Sequence, residues 1–564
     1  VNAQYVAKES NDAYNNISNA IGWDLKNRVP IIIYNSHNDF QQTNVIDMYM
    51  PEGVGGVTEL YKNRVVIPYD GSHTQFRDVI HHELVHAFIN DYLYKGNAMN
   101  MQDQAITPIP LWMNEGLAEF LAINWNSESD MWIRDLVING EKLPTFNDLN
   151  GYLAYRGGQS IWKFLVEELD TAYSKGHTLA PTIISSIFQS VASTSDLNSA
   201  FENSIGMDVP ELEESWHKYL KQEYWPDINN RDYIKDIASP LLDYKKLNAN
   251  YNIAPSVSPN GEKIAFYSNK NGIMSVYIVP SDCIKCKSGS MKRTLKGEMS
   301  IDFEELHILK PGISWSKDNQ KIILASKSKG KDALFIIDTK TGEKEKIKLL
   351  DKDMKAIFQP AWNPIHDNLI AFIGCNNSQS DIYLYNLNTS ELINLTNDIF
   401  TDKDVIWSAN GDHLLFSSDR GHIDNNNLSN TWQAQYDLYS ISINSLNLEQ
   451  LTDTDFNEHY PISIKSDSSI IFISDQNGIN NIYLMSVNDM QSTPSPITNI
   501  FTGITQLTAN DKNIFFTGLE NNKFGIYALD SLAYKHSDKD TLQIAAWKNN
   551  FKQYDYSLIT KKNK

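Results

Sequence analysis

Two short runs carry residue types that can hold a metal ion and activate water. The first is His82-Glu83-Leu84-Val85-His86, and the second is Asn114-Glu115-Gly116-Leu117-Ala118-Glu119. The first lies in a stretch whose periodicity predicts a helix from Gln75 to about Tyr94. Residues four apart share a helix face, so His82 and His86 aim two imidazoles at one point, as a zinc ion requires of two ligands. Glu83 stands beside them, placed to take a proton from a metal-bound water. The second run offers a third ligand, Glu115, from a second helix. Glu119 lies four residues further on the same stripe. It is placed to accept the second ring proton of a ligating histidine and so fix its tautomer. The plain alternative makes these histidines and glutamates solvated helix-face residues. Against it, Val79, Ile80, Leu84, Val85, Phe88 and Ile89 recur at helical spacing, which buries much of the first helix. A buried His-Glu-His group without a partner is costly.

The elements that would position these groups are legible. Pro108 and Pro110 precede the second helix, with Pro110 suited to its first turn. Leu111, Trp112, Leu117, Phe120 and Leu121 supply its apolar face. Gly116 is a poor helix residue; it fits a close crossing with the first helix, which would bring Glu115 to the metal. Upstream, helical periodicity covers Asn11 to Ile21, and strands are expected at Val29–Tyr34 and Val65–Pro68. Downstream, helices are expected over 111–124, 153–169, 181–190, 196–203 and 209–223. Pro51-Glu-Gly-Val-Gly55-Gly56-Val-Thr-Glu59 is Gly-rich, and turn geometry alone would account for its glycines. It is not a phosphate loop, since no Gly-Lys-Ser/Thr follows.

These motifs resemble the gluzincin metallopeptidases, with a peptidase-MA-like layout, over roughly residues 1–225. The resemblance implies one zinc ion bound by His82, His86 and Glu115, with Glu83 as general base and Glu119 behind the ligands. The interval from His86 to Glu115 is longer than in the thermolysin-like and aminopeptidase branches, so residues 95–110 are expected to form an inserted loop. Zinc with three protein ligands keeps a position for water and lowers its pKa towards ~7. Glu83 would take that water's proton and pass it to the leaving amine. Tyr152-Leu-Ala-Tyr155-Arg-Gly-Gly158 resembles the Tyr-x-x-Gly helix start that supplies an oxyanion-stabilising tyrosine, which implies Tyr155 as that donor and leaves Tyr152 as its competitor. The Gly55-Gly56 to Glu59 run loosely resembles the Gly-x-Met-Glu-Asn exopeptidase motif. Glu59 would then hold a free amino terminus, although the spacing is one longer and the Met and Asn are absent. An edge strand there would bind the substrate backbone by strand addition.

From about residue 250 a repeat replaces the helical pattern. Its core strands are Lys263-Ile-Ala-Phe266, Lys321-Ile-Ile-Leu324, Leu369-Ile-Ala-Phe372, His413-Leu-Leu-Phe416, Ser469-Ile-Ile-Phe472 and Asn513-Ile-Phe-Phe516, which end 58, 48, 44, 56 and 44 residues apart. Several units have a strand and turn before this one, and each has a strand after it. Six units of four short strands at this period predict a six-bladed β-propeller. The run Ser258-Pro-Asn-Gly261-Glu-Lys-Ile-Ala-Phe266 resembles the TolB-type propeller signature Ser-Pro-Asp-Gly-Lys-x-Ile-Ala-Phe, with Asn260 in place of the usual Asp. The expected fold is therefore multidomain: an α+β gluzincin-like metallopeptidase domain over 1–228, then an all-β six-bladed propeller over 229–564. Residues 229–250 would be a linker, with a ring-closing strand from Leu241–Leu247. The propeller would recognise a protein, peptide or glycan, or gate the zinc site; as a rigid spacer it would do neither. No Gly-x-Ser-x-Gly elbow occurs.

A net charge of −20 argues against nucleic acid and anionic membrane surfaces as partners. No apolar run of ~18 residues exists, so no transmembrane helix is expected. Cys283-Ile-Lys-Cys286 and Cys375 are the cysteines. The cysteines read as unremarkable loop residues or, for the pair, as a local bridge; a metal clip would lack its other half. The first residue is Val1 rather than Met, as removal of a leader would leave. The gluzincin and TolB-like pairing implies a bacterial envelope setting, periplasmic, outer-membrane-associated or secreted, in which similar proteins can carry a further outer-membrane barrel. A peptide or protein substrate is implied, with an envelope partner at the propeller. The rival function is a non-catalytic envelope scaffold that keeps the peptidase fold for binding.

Overall fold

Helix-period patterning up to about residue 225 and short alternating strands after it produce two structural units. The computed structural model describes residues 2–45, 50–94, 109–170, 182–194, 196–298, 300–349, 351, 354–376, 379–421, 434–464, 468–487, 493–530 and 542–556. The loop expected over 95–110 lies, except for Ile109 and Pro110, outside the described residues. One unit gathers Val1–Tyr69, Thr74–Pro226 and Ala546–Lys564; the other gathers Asp70–His73 and Asp227–Ala545. This differs from a division at 228/229 in the stretch after Ala545, which joins the first unit. Tyr556 N donates to Asn16 Oδ1 (2.7 Å), Asn19 Nδ2 donates to Tyr556 O (2.9 Å), and Tyr554 lies against Phe120.

The first unit is α+β. In chain order its elements are α1 (Asn2–Ile21), β1 (Ile31–Tyr34), α2 (His37–Phe40), β2 (Val57–Glu59), β3 (Arg64–Pro68), α3 (His73–Tyr94) and α4 (Leu111–Ile123). Then follow α5 (Ser127–Ile138), α6 (Tyr152–Phe164), α7 (Ile183–Ser193), α8 (Leu197–Ile205) and α9 (Val209–Tyr224). α1 starts well before Asn11, because Tyr5 and Val6 extend its buried stripe through Ala13, Ile17 and Ala20. The small sheet has the order β1-β3-β2, with β1 parallel and β2 antiparallel to β3. The Gly-rich run therefore ends in an edge strand rather than only a loop. α5 has no counterpart in the sequence reading. Its buried residues mix apolar Met131, Trp132, Ile133 and Val137 with charged ones: Arg134 Nε donates to Asp130 Oδ2 (2.9 Å) with both side chains buried, and Tyr224 OH donates to the other Asp130 oxygen (3.0 Å). Buried charges among the apolar positions blur the helical period.

Three anchors fix the helices that matter for the site. Asp91 on α3 accepts from Trp23 Nε1, Lys26 N and Asn27 Nδ2, which ties down the loop after α1. Asn63, in the β2–β3 turn, donates to Ala87 O on α3 (3.0 Å). Trp162 on α6 is fully buried and donates to Met113 O on α4 (3.0 Å). Burying such a side chain contributes roughly 1.5–3 kcal/mol. Gly116 does mark a close crossing, but its partner is α6 rather than α3. A Cβ at Gly116 would lie 2.2 Å from Gly158 C, and one at Gly158 would lie 2.0 Å from Trp112 O. Both opposing atoms are backbone and cannot yield.

The second unit is a six-bladed β-propeller. Its second strands, Lys263–Ser268, Lys321–Ser328, Leu369–Asn376, His413–Ser418, Ser469–Ser474 and Asn513–Glu520, contain the six expected core runs. Each sits in its own antiparallel four-stranded sheet, the second of which also pairs with Glu305–Leu306. The last sheet takes its fourth strand from upstream: Ser239–Pro240 pairs with Tyr527 and Ala528. The closing strand thus lies just before Leu241–Leu247, with Leu241 N still donating to Ile526 O (2.9 Å). The side chains of Leu241, Leu242 and Leu247 pack into an apolar cluster with Phe266 and Phe515. Cys283 and Cys286 form a disulfide, so they make a local bridge and not a metal clip, and Cys375 is a buried thiol.

The glycine contact gives a direct test. Gly158→Ala is expected to destabilise the first unit by about 1–3 kcal/mol through overpacking, read as a lowered urea midpoint. An unchanged midpoint would mean that α4 and α6 do not meet at that point.

Candidate metal centre

α3 stacks His82 and His86 one turn apart, and α4 brings Glu115 to both. His82 Nε2 lies 3.3 Å from Glu115 Oε2, His86 Nε2 lies 3.2 Å from the same oxygen, and the two nitrogens are 3.1 Å apart. The three donor atoms form a nearly equilateral triangle. Ligands about 2.0–2.1 Å from a tetrahedral zinc ion stand roughly 3.3 Å apart, so the triangle matches one face of such a site. Among the described residues, His82, His86 and Glu115 are the one group of three or more potential ligands that could share an ion.

The other ring nitrogens are also engaged. His82 Nδ1 lies 3.1 Å from Glu119 Oε1, and His86 Nδ1 lies 3.1 Å from Asn114 Oδ1. Each acceptor favours the tautomer with its proton on Nδ1, leaving both Nε2 atoms for an ion. Without the ion, burial disfavours a charged His82, but hydrogen bonds to Glu115 and Glu119 and the charge of Glu83 outweigh it and lift the ring to about 10. Glu115 and Glu119 are partly buried, and their desolvation opposes ionisation. Even so, the two histidines hold Glu115 well below the usual carboxylate range, and Arg156 and His82 hold Glu119 down to about 2.

Residues 9–222 match the Peptidase MA superfamily. The first unit is a Peptidase MA superfamily domain. No curated protein matches the chain. Among solved structures, a putative TolB from Agrobacterium tumefaciens is 15% identical, covering 50% of this chain and 90% of its own, at a TM-score of 0.36. TolB from Acinetobacter baumannii is 14% identical, covering 58% and 72%, at 0.32. A prolyl endopeptidase is 14% identical, covering 51% and 42%, at 0.35. The propeller itself stands on its six sheets.

Beside the His82, His86 and Glu115 cluster of the Peptidase MA domain, β2 crosses the side chain of Glu83. Thr58 Oγ1 lies 2.7 Å from Glu83 Oε2 and 2.8 Å from Glu83 O, so its single proton serves one of the two. A Cβ at Gly56 would lie 2.9 Å from Glu83 Cγ and 3.0 Å from Oε1; the glycine leaves room for the Glu83 side chain. Gly55 is next in line, its missing Cβ facing Val79. Glu59 points elsewhere: its carboxylate accepts from Tyr61 N (2.6 Å), Lys62 N (3.1 Å) and Arg64 Nε (3.0 Å), all within the β2–β3 turn. It is occupied as a turn residue, not presented as an amine anchor.

At the start of α6 the two tyrosines separate. Tyr155 stacks on the His82 ring (centroids 6.1 Å, 12° between planes) and its hydroxyl hydrogen-bonds Glu115. Burial, with Glu115, Glu83 and Glu119 nearby, raises its pKa, so the hydroxyl keeps its proton and remains a donor. Tyr152 OH donates to Glu128 (2.7 Å) and accepts from Arg156 Nε (2.9 Å). Sequence reasoning missed Thr58, Asn114 and Arg156. Asn114 and Arg156 adjoin residues already singled out, and Thr58 lies within the Gly-rich run. None has a residue type that announces a role without the fold.

The proton on His82 has a measurable consequence. An ion needs the Nε2 lone pair, so below pH of about 10 it must displace that proton, and apparent affinity should rise with pH towards that value. Glu115 is already ionised and releases none. Zinc titrated into metal-free protein at pH 8 should expel about one His82 proton per ion, measured by calorimetry in buffers of different ionisation heat. Uptake independent of buffer would contradict a protonated His82.

Proposed function

We propose that this domain hydrolyses peptide bonds using one zinc ion held by His82, His86 and Glu115. The observation that carries it is the triangle of three donor atoms with the Glu83 carboxylate beside it. Two imidazoles and one carboxylate suit zinc and leave a coordination position open. A zinc ion bound there would supply Lewis acidity and lower the pKa of a water ligand. Glu83, held by Thr58, accepts a proton from the attacking water and returns it to the leaving nitrogen. The Tyr155 hydroxyl donates to the oxygen of the scissile carbonyl as negative charge grows there. The free edge of β2 receives the substrate backbone as an added strand beside Glu83.

The setting we infer is an oxidising one, in the cell envelope or outside the cell. The Cys283–Cys286 bridge supports it, since disulfides persist where thiols are not kept reduced. In that setting the propeller serves to recognise substrate or an envelope partner. No helix of the described residues is long and apolar enough to cross a membrane.

Glu83→Gln is expected to lower cleavage of a peptide library by about 10²–10⁴-fold while zinc content stays at the wild-type level. A chelator should abolish wild-type cleavage. Equal cleavage by the variant, or cleavage that survives metal removal, would overturn the proposal.

A further inference from the structure

His82 offers Nε2 to an ion only while its other nitrogen keeps the proton, and that depends on what stands behind Glu119. Glu119 Oε1 faces His82 Nδ1 at 3.1 Å, while Oε2 accepts from Arg156 Nη1 at 2.6 Å. Arg156, on α6, is 7% exposed. Its Nε donates to Tyr152 OH (2.9 Å), its Nη2 to Glu128 Oε1 (3.3 Å), and its Nη1 also reaches Gln159 Oε1 (3.2 Å). The guanidinium further lies over the Tyr152 ring, 5.1 Å from its centre. A planar cation with this many fixed partners has one orientation, and that orientation presents a donor to Glu119.

We propose that Arg156 is a positioning residue of the metal centre: by holding the far oxygen of Glu119 it fixes the carboxylate that orients His82, and so sets how tightly the ion is held. The inference rests on the metal centre proposed above. Charge balance supports it independently of hydrogen bonding. Glu83, Glu115 and Glu119 bring three negative charges into a buried space. A divalent ion leaves one of them uncompensated, and Arg156 supplies the missing positive charge. An unbalanced buried charge is costly. Without Arg156, the far oxygen of Glu119 loses its short donor, and the carboxylate can turn away from His82 Nδ1.

The competing account is structural: the same guanidinium ties α5 to α6 through Glu128 and Tyr152. A double-mutant cycle separates the two. The metal-free full-length protein is titrated with zinc against a chromophoric chelator as wild type, Arg156→Met, Glu119→Gln and the double variant. Arg156→Met is expected to weaken zinc binding by about 10–100-fold, and Arg156→Lys to recover part of that loss. In the Glu119→Gln background, Arg156→Met should cost little more. Thermal unfolding of the metal-free proteins reads any structural loss separately. If Arg156→Met does not fold, Arg156→Gln replaces it in the same cycle. A wild type that binds zinc, with an Arg156 effect that is absent or equally large in both backgrounds, overturns this inference alone. A wild type that takes up no zinc overturns it together with the proposed function.

Discussion

The backbone contact between α4 and α6 at Gly116 and Gly158 is the constraint on which the site depends. Glu115 flanks Gly116, and Glu119 lies one turn further along α4. Tyr155 and Arg156 precede Gly158 by less than one turn. Only when the two helices touch backbone to backbone can groups from both reach the imidazoles on α3. A helix pair held apart by side chains at the usual distance of about 8–10 Å would leave Tyr155 and Arg156 short of Glu115 and Glu119. Trp162, reaching from α6 to the Met113 carbonyl, locks the same contact from its other side.

The electrostatics follow from that packing. Carboxylates from α3 and α4 converge on two imidazoles, and in the absence of an ion a proton on His82 does part of the ion's work by standing between Glu115 and Glu119. Asn114 and Glu119, which face the outer ring nitrogens, sit on α4 with Glu115, so all three are carried by one helix. A site whose groups are fixed in this way is spared the cost of ordering when a ligand binds.

Sequence alone disclosed the parts whose spacing is itself the geometry. His82 and His86 four apart, Glu115 and Glu119 four apart, and six strand runs at a regular period needed no tertiary information. What it did not disclose depends on contacts between distant segments. Thr58 carries a common hydroxyl and becomes relevant only because Asn63 ties the β2–β3 turn to α3. Arg156 reads as an ordinary helix residue until α4 delivers Glu119 to it. Gly116 signalled a close approach, but a single glycine names no partner, and α6 rather than α3 was opposite. α5 escaped notice because buried Asp130 and Arg134 interrupt the apolar positions of Met131, Ile133 and Val137, and Glu59 lost its proposed role to the short turn it closes.

The way each unit is finished bears on its birth at the ribosome. The last propeller sheet pairs Pro240 with Tyr527, so its closing strand is synthesised long before the strand it joins. In the other unit, α1 receives Tyr556, which emerges later still. Neither of these contacts can form until the later segment has emerged, and Ser239–Pro240 must wait for Tyr527 and Ala528. Such long-range closure makes for slow folding. It also gives the nascent chain a prolonged period in which assistance from chaperones has physical value.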